Sequence, residues 1–83
     1  MTSFDLQVLL FGRYAEVLGA ESLRVSLPAG ATVADAVQAV RERPSGNLLP
    51  RQVLCAVNLR QALPAQALAP GDELALLPPL AGG

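Results

Sequence analysis

Residues 28–43 carry the clearest helix signal in the chain, and this signal limits the fold to one main helix set among short strands. Thr32 can cap the helix N-terminus, with Asp35 three residues later as an acidic variant of the capping box. Arg41 and Arg43 suit the negative end of the helix dipole. The apolar stripe has the spacing i, i+3, i+4, i+7 and consists of Val33, Ala36, Val37 and Val40. We expect this helix to lie across a sheet.

Period-two alternation around the helix predicts that sheet. The predicted strands are residues 4–11, 21–27, 52–58 and 73–77. The first two can pair as an antiparallel hairpin, and residues 13–18 between them are predicted as a helical turn or a wide connection. Residues 59–73 are predicted as a connector, within which the element order leaves room for one more strand. The sequence therefore predicts an α+β domain, a mixed sheet of four to five strands with one main helix packed across it.

The composition of the chain excludes several kinds of partner, metal site and catalytic site. The chain has 83 residues, a formal charge of −1 and scattered arginines, which predicts one domain with no nucleic-acid partner. Histidine and lysine are absent and Cys55 is the single cysteine, so a zinc cluster, a disulfide framework and a histidine acid–base pair within one chain are excluded. Cys55 is interpreted as a core residue. We expect a cytoplasmic protein without membrane contact, bound metal or bound cofactor, which shares its chemistry with partner proteins.

The chain ends in "LLPPLAGG", and this ending predicts a domain over residues 1–77 followed by an extended, flexible tail over residues 78–83. Proline fixes φ and favours an extended exit from the last strand, whereas glycine lacks a Cβ and fits a narrow channel. The tail reaches at most about 20 Å. Phe11 and Leu77 lie on strand faces opposite the predicted core and can form an exposed apolar patch with Leu80.

Five segments spread over the chain resemble one family. They are "VLLFGRYAEVLG", "LPAGATVADAV", "AVN", "PGDELALLPP" and the final "AGG". Together they are similar to the ubiquitin-like β-grasp sulfur carriers, and most of all to the small subunits of molybdopterin synthases. The resemblance implies a ubiquitin-like β-grasp fold.

The resemblance also implies a function. A ubiquitin-activating-type adenylyltransferase would use ATP to adenylate the carboxylate of Gly83, and a sulfur donor enzyme would then convert it to a thiocarboxylate. The sulfur would pass to a cyclic pterin phosphate in molybdenum cofactor synthesis, in a heterotetramer with a large catalytic subunit that supplies the catalytic side chains. Gly82 would accompany Gly83 into the active site. The residues expected to bind partners are Phe11, Leu77, Pro78, Pro79, Leu80 and Ala81.

Two alternatives stay open on the sequence. One is a sulfur carrier for thiamin or cysteine synthesis, and the other is a ubiquitin-like modifier or binding module whose Gly83 forms isopeptide bonds or whose surface only docks. The sequence departs from the family in having leucine at positions 76, 77 and 80, where aromatic residues or valine are frequent. Because lysine is absent, the activated C-terminus cannot acylate a lysine of its own domain.

Overall fold

A mixed sheet of five strands and one main helix make up the domain in a computed structural model that describes residues 2–79. The elements are β1 (Ser3–Leu10), α1 (Arg13–Leu18), β2 (Ser22–Pro28), α2 (Val33–Arg41), a 3₁₀ turn (Gly46–Leu48), β3 (Leu54–Val57), β4 (Arg60–Ala62) and β5 (Glu73–Leu77). The strand order is β2-β1-β5-β3-β4, with β1 and β5 parallel and the other neighbouring pairs antiparallel. The predicted α+β class is confirmed, and the arrangement is the ubiquitin-like β-grasp.

The core lies between α2 and one face of the sheet, at the alternating positions predicted from the sequence. Leu6 and Val8 of β1 and Leu74 and Leu76 of β5 are all 0% exposed. The buried residues of α2 are Val33, Ala36, Val37 and Val40, which are the four positions of the predicted stripe. Since these two central strands are hydrogen-bonded on both sides, they form the most enclosed part of the domain.

The predicted capping box at the start of α2 is confirmed. The Thr32 hydroxyl accepts a hydrogen bond from the backbone N–H of Asp35 at 3.3 Å, and the Asp35 carboxylate accepts one from the backbone N–H of Thr32 at 2.9 Å. The next two N–H groups donate at 2.9 Å to carbonyls of the segment that follows β4, Val33 to Gln66 and Ala34 to Pro64. The backbone N–H groups at the helix N-terminus, which have no partner within a helix, are therefore bound both by the capping box and by carbonyls of residues 64–66.

The connector predicted over residues 59–73 contains a strand that the sequence did not locate. Residues 60–62 form β4 because they pair with β3, with Cys55 opposite Ala62 and Val57 opposite Arg60. Only Ala62 of these three residues is buried, so β4 has almost no alternation of its own. Residues 60–62 are therefore a strand because of their pairing with β3 and not because of their own sequence pattern.

Other element boundaries also differ from the prediction. Residues 13–18 form the short helix α1 between Gly12 and Gly19, where a turn was one of the two expectations. The main helix ends at Arg41, before the predicted residue 43, and β3 begins at Leu54 instead of residue 52. Beyond α2 the chain doubles back so closely that a Cβ on Gly46 would lie 2.2 Å from the carbonyl oxygen of Val40. Only glycine fits this contact.

Arg41 ties the segment after the 3₁₀ turn to the end of α2. Its guanidinium donates to the carbonyl oxygens of Leu49 at 3.1 Å, Pro50 at 2.7 Å and Arg51 at 2.9 Å. The sequence suggested only an interaction with the helix dipole. In the structure its guanidinium also binds the carbonyl oxygens of residues 49–51, which belong to no helix or strand.

Replacing Arg41 by alanine is expected to lower the free energy of unfolding by about 1–3 kcal/mol, because three carbonyl groups lose a charged donor and water can reach this partly exposed site. Urea unfolding followed by circular dichroism measures the change. Arg60→Ala removes an exposed guanidinium from β4 and should leave stability within about 0.5 kcal/mol. Equal stability of the two variants would contradict the anchoring role of Arg41.

Candidate functional site

The parallel pairing of β1 and β5 brings two chain segments to one edge of the sheet. The last register pair is Leu10 with Leu76, so the residues after β1 and those after β5 leave the sheet side by side. Gly12, in the first segment, has φ 56° and ψ −133°, a combination that favours glycine. A Cβ on Gly12 would lie 3.1 Å from Cγ of Pro78 in the second. The start of the predicted tail thus rests against the turn that follows β1.

Phe11 and Leu77, the two predicted patch residues within the described part of the chain, lie at this edge. Phe11 is 45% exposed, and Leu77 is half-buried. Phe11 follows Leu10 as Leu77 follows Leu76, so both occupy the sheet face opposite α2. The structure brings them together as the sequence suggested, whereas their role in partner binding stays a prediction.

The remaining predicted site residues divide between the described part of the chain and its end. Pro78 is half-buried and Pro79 is exposed, directly beyond β5. Leu80, Ala81, Gly82 and Gly83 lie outside the described residues.

An apolar surface larger than the predicted one covers the sheet face opposite α2. Register pairs join Leu9 to Ala75, Ala75 to Ala56, and Leu77 to Leu54 across three adjacent strands. None of these five side chains is fully buried, and Leu54 is 48% exposed. We call Leu9, Phe11, Leu54, Ala56, Ala75 and Leu77 the sheet patch. In the sequence, this surface is indicated only by apolar residues on the second face of individual strands. The strand order is needed to show that the second faces of three strands form one continuous surface.

A depression of about 480 Å³ lies beside Pro79, between α1 and residues 48–50. Its lining comprises Arg13, Tyr14, Val17, Leu48, Pro50 and Pro79. Tyr14 is only 3% exposed, and its hydroxyl has no hydrogen-bond partner within residues 2–79. Burial raises the pKa of Tyr14, and the nearby positive charges of Arg13 and Arg41 oppose this shift. Tyr14 is therefore a neutral, buried side chain at neutral pH.

The single cysteine of the chain is buried. Cys55 is 5% exposed and belongs to the core, as predicted. Burial raises the pKa of its thiol, and the charge of Arg41 only partly opposes this, so the reactive thiolate is disfavoured. Between residues 2 and 79, no cluster of three or more His, Cys, Asp or Glu side chains could hold a metal ion. Over the same span, no helix has both the length and the apolar character needed to cross a bilayer.

Comparison with known proteins decides the family. The sequence profile of the ThiS family matches residues 8–83. The chain belongs to the ThiS family. A molybdopterin synthase sulfur carrier subunit from Arabidopsis thaliana is 31% identical, over 99% of this chain and 86% of that protein. The match confirms the resemblance recognised in the sequence.

Three further comparisons extend this result. Small archaeal modifier protein 1 from Haloferax volcanii is 37% identical over 89% of this chain and 95% of that protein. A crystal structure of the same archaeal protein superposes with a TM-score of 0.83 at 33% identity, over 95% of this chain and 99% of that one. A chain in the Helicobacter pylori complex of subunits 1 and 2 of molybdopterin-converting factor shares the fold, with a TM-score of 0.68 at 20% identity. The superposition covers 96% of this chain and 100% of that one.

Proposed function

We propose that this ThiS-family protein is a sulfur carrier. In this proposal the carboxylate of Gly83 is adenylated and thiocarboxylated, and the protein donates the sulfur to a cyclic pterin phosphate as the small subunit of a molybdopterin synthase. The catalytic side chains belong to its partners in this proposal.

The observation that carries the proposal is the position of the chain's exit from the sheet. β5 is central in the sheet, Pro78 and Pro79 follow it directly, and the sheet patch begins at the same edge with Phe11 and Leu77. A partner that covers the patch is therefore close to the start of the last six residues. These residues span at most about 20 Å, enough to enter a partner's active site while the domain stays outside.

The proposed chemistry needs nothing from the domain except the terminal carboxylate. A carboxylate oxygen of Gly83 attacks the α-phosphorus of ATP, pyrophosphate leaves, and an acyl adenylate forms. The terminal sulfur of a donor persulfide then attacks the acyl carbon, and AMP leaves. A second thiol cleaves the resulting sulfur–sulfur bond, so that the thiocarboxylate remains on Gly83 and the donor becomes a disulfide.

Three partners follow from this chemistry. They are a ubiquitin-activating-type adenylyltransferase that uses ATP, a sulfur donor enzyme, and a large catalytic subunit that binds the pterin, with a heterotetramer as the expected assembly. The Arabidopsis relative, named a sulfur carrier subunit of molybdopterin synthase, supports the choice of pathway. The Helicobacter pylori structure, a complex of subunits 1 and 2 of molybdopterin-converting factor, gives the fold a precedent in a complex with a second protein subunit.

A second candidate function is protein modification, in which Gly83 forms isopeptide bonds to lysines of other proteins. The observation that favours it is the 37% identity to small archaeal modifier protein 1. The two functions use the same activated carboxylate and differ in the nucleophile that receives it.

Intact mass spectrometry tests the proposal directly. The purified protein is incubated with an activating enzyme, ATP and a sulfur donor, and the sulfur-carrier proposal predicts exchange of one oxygen for sulfur at the C-terminus. Transfer of that sulfur to the cyclic pterin phosphate by the large subunit then tests the pathway. Absence of the exchange, together with adducts at lysines of other proteins, would favour the modifier.

Phe11→Ala is expected to weaken binding to the large subunit or to the activating enzyme by about tenfold or more, since aromatic anchors carry much of an interface's binding energy. The melting temperature should change little, because Phe11 is 45% exposed. Titration calorimetry and thermal melting measure the two effects.

The matched control is Leu59→Ala. Leu59 is 93% exposed in the β3–β4 turn. The preceding residue, Asn58, donates to the carbonyl of Glu73 at the opposite end of β5 from Pro78, so the loss of the Leu59 side chain should not change the affinity. If Phe11→Ala keeps full affinity and melts at a much lower temperature, Phe11 serves domain packing and the patch is misassigned.

A further inference from the structure

A cleft of about 440 Å³ opens at the edge of the domain, between α2 and the β3–β4 hairpin. One wall is the face of α2 that contains Val37 and Arg41, and the other consists of residues 51–55 and 61–64. The proposed sulfur transfer does not use this cleft, although Leu54 belongs both to its rim and to the sheet patch.

The shortness of β4 creates the cleft. Its last register pair with β3 is Ala62 with Cys55, and the chain then turns towards the start of α2, where the carbonyl of Pro64 accepts from the N–H of Ala34. The chain before Cys55 therefore has no neighbouring strand on this side. Throughout the described range, the backbone N–H group of Val53 donates to no backbone carbonyl. An extended peptide can pair with such an edge.

The charge on the lining has one sign. It includes the arginines Arg41 and Arg51 and no carboxylate. Arg41 is held by its three carbonyl partners, so its positive charge is fixed at this end of the cleft. Arg51 is exposed on the other wall, and its backbone carbonyl is one of the three that accept from Arg41. A ligand carboxylate would find an attractive potential from both and a donor from Arg51.

The other part of the lining is apolar. Val37 and Cys55 are buried in the floor, while Leu54 and Leu63 on the rim are 48% and 72% exposed. Exposed leucines beside an apolar floor can take up apolar side chains of a bound segment. The unpaired backbone donor, the apolar floor and the positively charged end of the cleft together favour an extended peptide that has apolar and acidic residues.

We propose that this cleft binds an extended acidic segment of a partner protein, which adds a strand beside Val53, sets its apolar side chains against the floor and directs its carboxylates to Arg41 and Arg51. Because the cleft adjoins the sheet patch at Leu54, a partner seated on the patch is positioned to insert such a segment. The proposal does not depend on the sulfur chemistry of Gly83.

The test uses two synthetic peptides of opposite chain direction, acetyl-VIVDED-amide and acetyl-DEDVIV-amide, titrated into the ¹⁵N-labelled full-length protein. We expect one of them to shift amide signals of α2 and of residues 51–64 selectively. Its dissociation constant should rise about tenfold or more in Arg51→Glu, which places like charges together, and should rise as salt increases from about 0.05 to about 0.5 M.

Controls distinguish binding in the cleft from non-specific electrostatic attraction to the protein. Arg60→Glu makes the same charge change on exposed β4 surface outside the lining, and its affinity should match the parent's. The lysine peptide acetyl-VIVKKK-amide and free glutamate should produce no shifts in the cleft. The proposal is overturned if neither acidic peptide shifts these signals at about 2 mM, if the lysine peptide or glutamate binds equally well, or if the two glutamate variants lose affinity alike.

Discussion

A variant with one alanine added after Gly83 is expected to fold, to bind its partners through the domain, and to fail to acquire sulfur. The extra residue moves the terminal carboxylate by about 3.5 Å. It also puts a Cβ at a position where the proposed channel accepts only glycine. Because a displacement of about 1 Å can cost on the order of a hundredfold in rate where reacting groups must align, thiocarboxylation should fall below detection.

Two companion variants sharpen this result. Deletion of Gly83 should fail because the tail falls short, and Gly82→Ala should be impaired less severely because its length is unchanged. Each protein is incubated with activating enzyme, ATP and sulfur donor, and intact mass reports whether sulfur has replaced oxygen. If the extended protein acquires sulfur as fast as the parent, the proposed role of Gly83 is wrong.

Val37→Asp is expected to unfold the domain. Val37 is 9% exposed on the buried face of α2, and an aspartate there would be a charge without a partner. The cost, about 3–5 kcal/mol or more, is comparable to the whole stability of a small domain, about 5–15 kcal/mol. Far-ultraviolet circular dichroism and thermal melting measure the loss of structure.

Ala34→Asp provides the comparison for that variant. Ala34 is exposed in the first turn of the same helix, where a negative charge is favourable to the helix dipole. This variant should melt close to the parent. A normal melting curve for Val37→Asp would show that the buried face of α2 has been misidentified.

The sequence predicted the parts of the fold that local chemistry decides. Thr32 and Asp35 form the predicted capping box, and the stripe of α2 is buried at all four positions, because both depend on spacing within one helix. The inward residues Leu74 and Leu76 of β5 followed from alternation in the same way. In the candidate site, alternation also led to the exposed side chain of Phe11.

Features that depend on distant parts of the chain were not predictable in this way. β4 is a strand because β3 lies beside it, and its own three residues give no strand pattern. The three carbonyls bound by Arg41 come from residues 49–51, whose position no local pattern specifies. The full extent of the sheet patch required the strand order, since Leu9 and Leu54 become parts of one surface only through β5 between them.

The central place of β5 also decides how the domain responds to mechanical force. A pull on Pro79 acts along β5, which pairs with β1 on one side and β3 on the other. The backbone hydrogen bonds of both ladders lie across the direction of the pull, so they share the load and must shear together instead of opening one after another. A partner can therefore hold or draw on the end of this chain without peeling the last strand from the sheet.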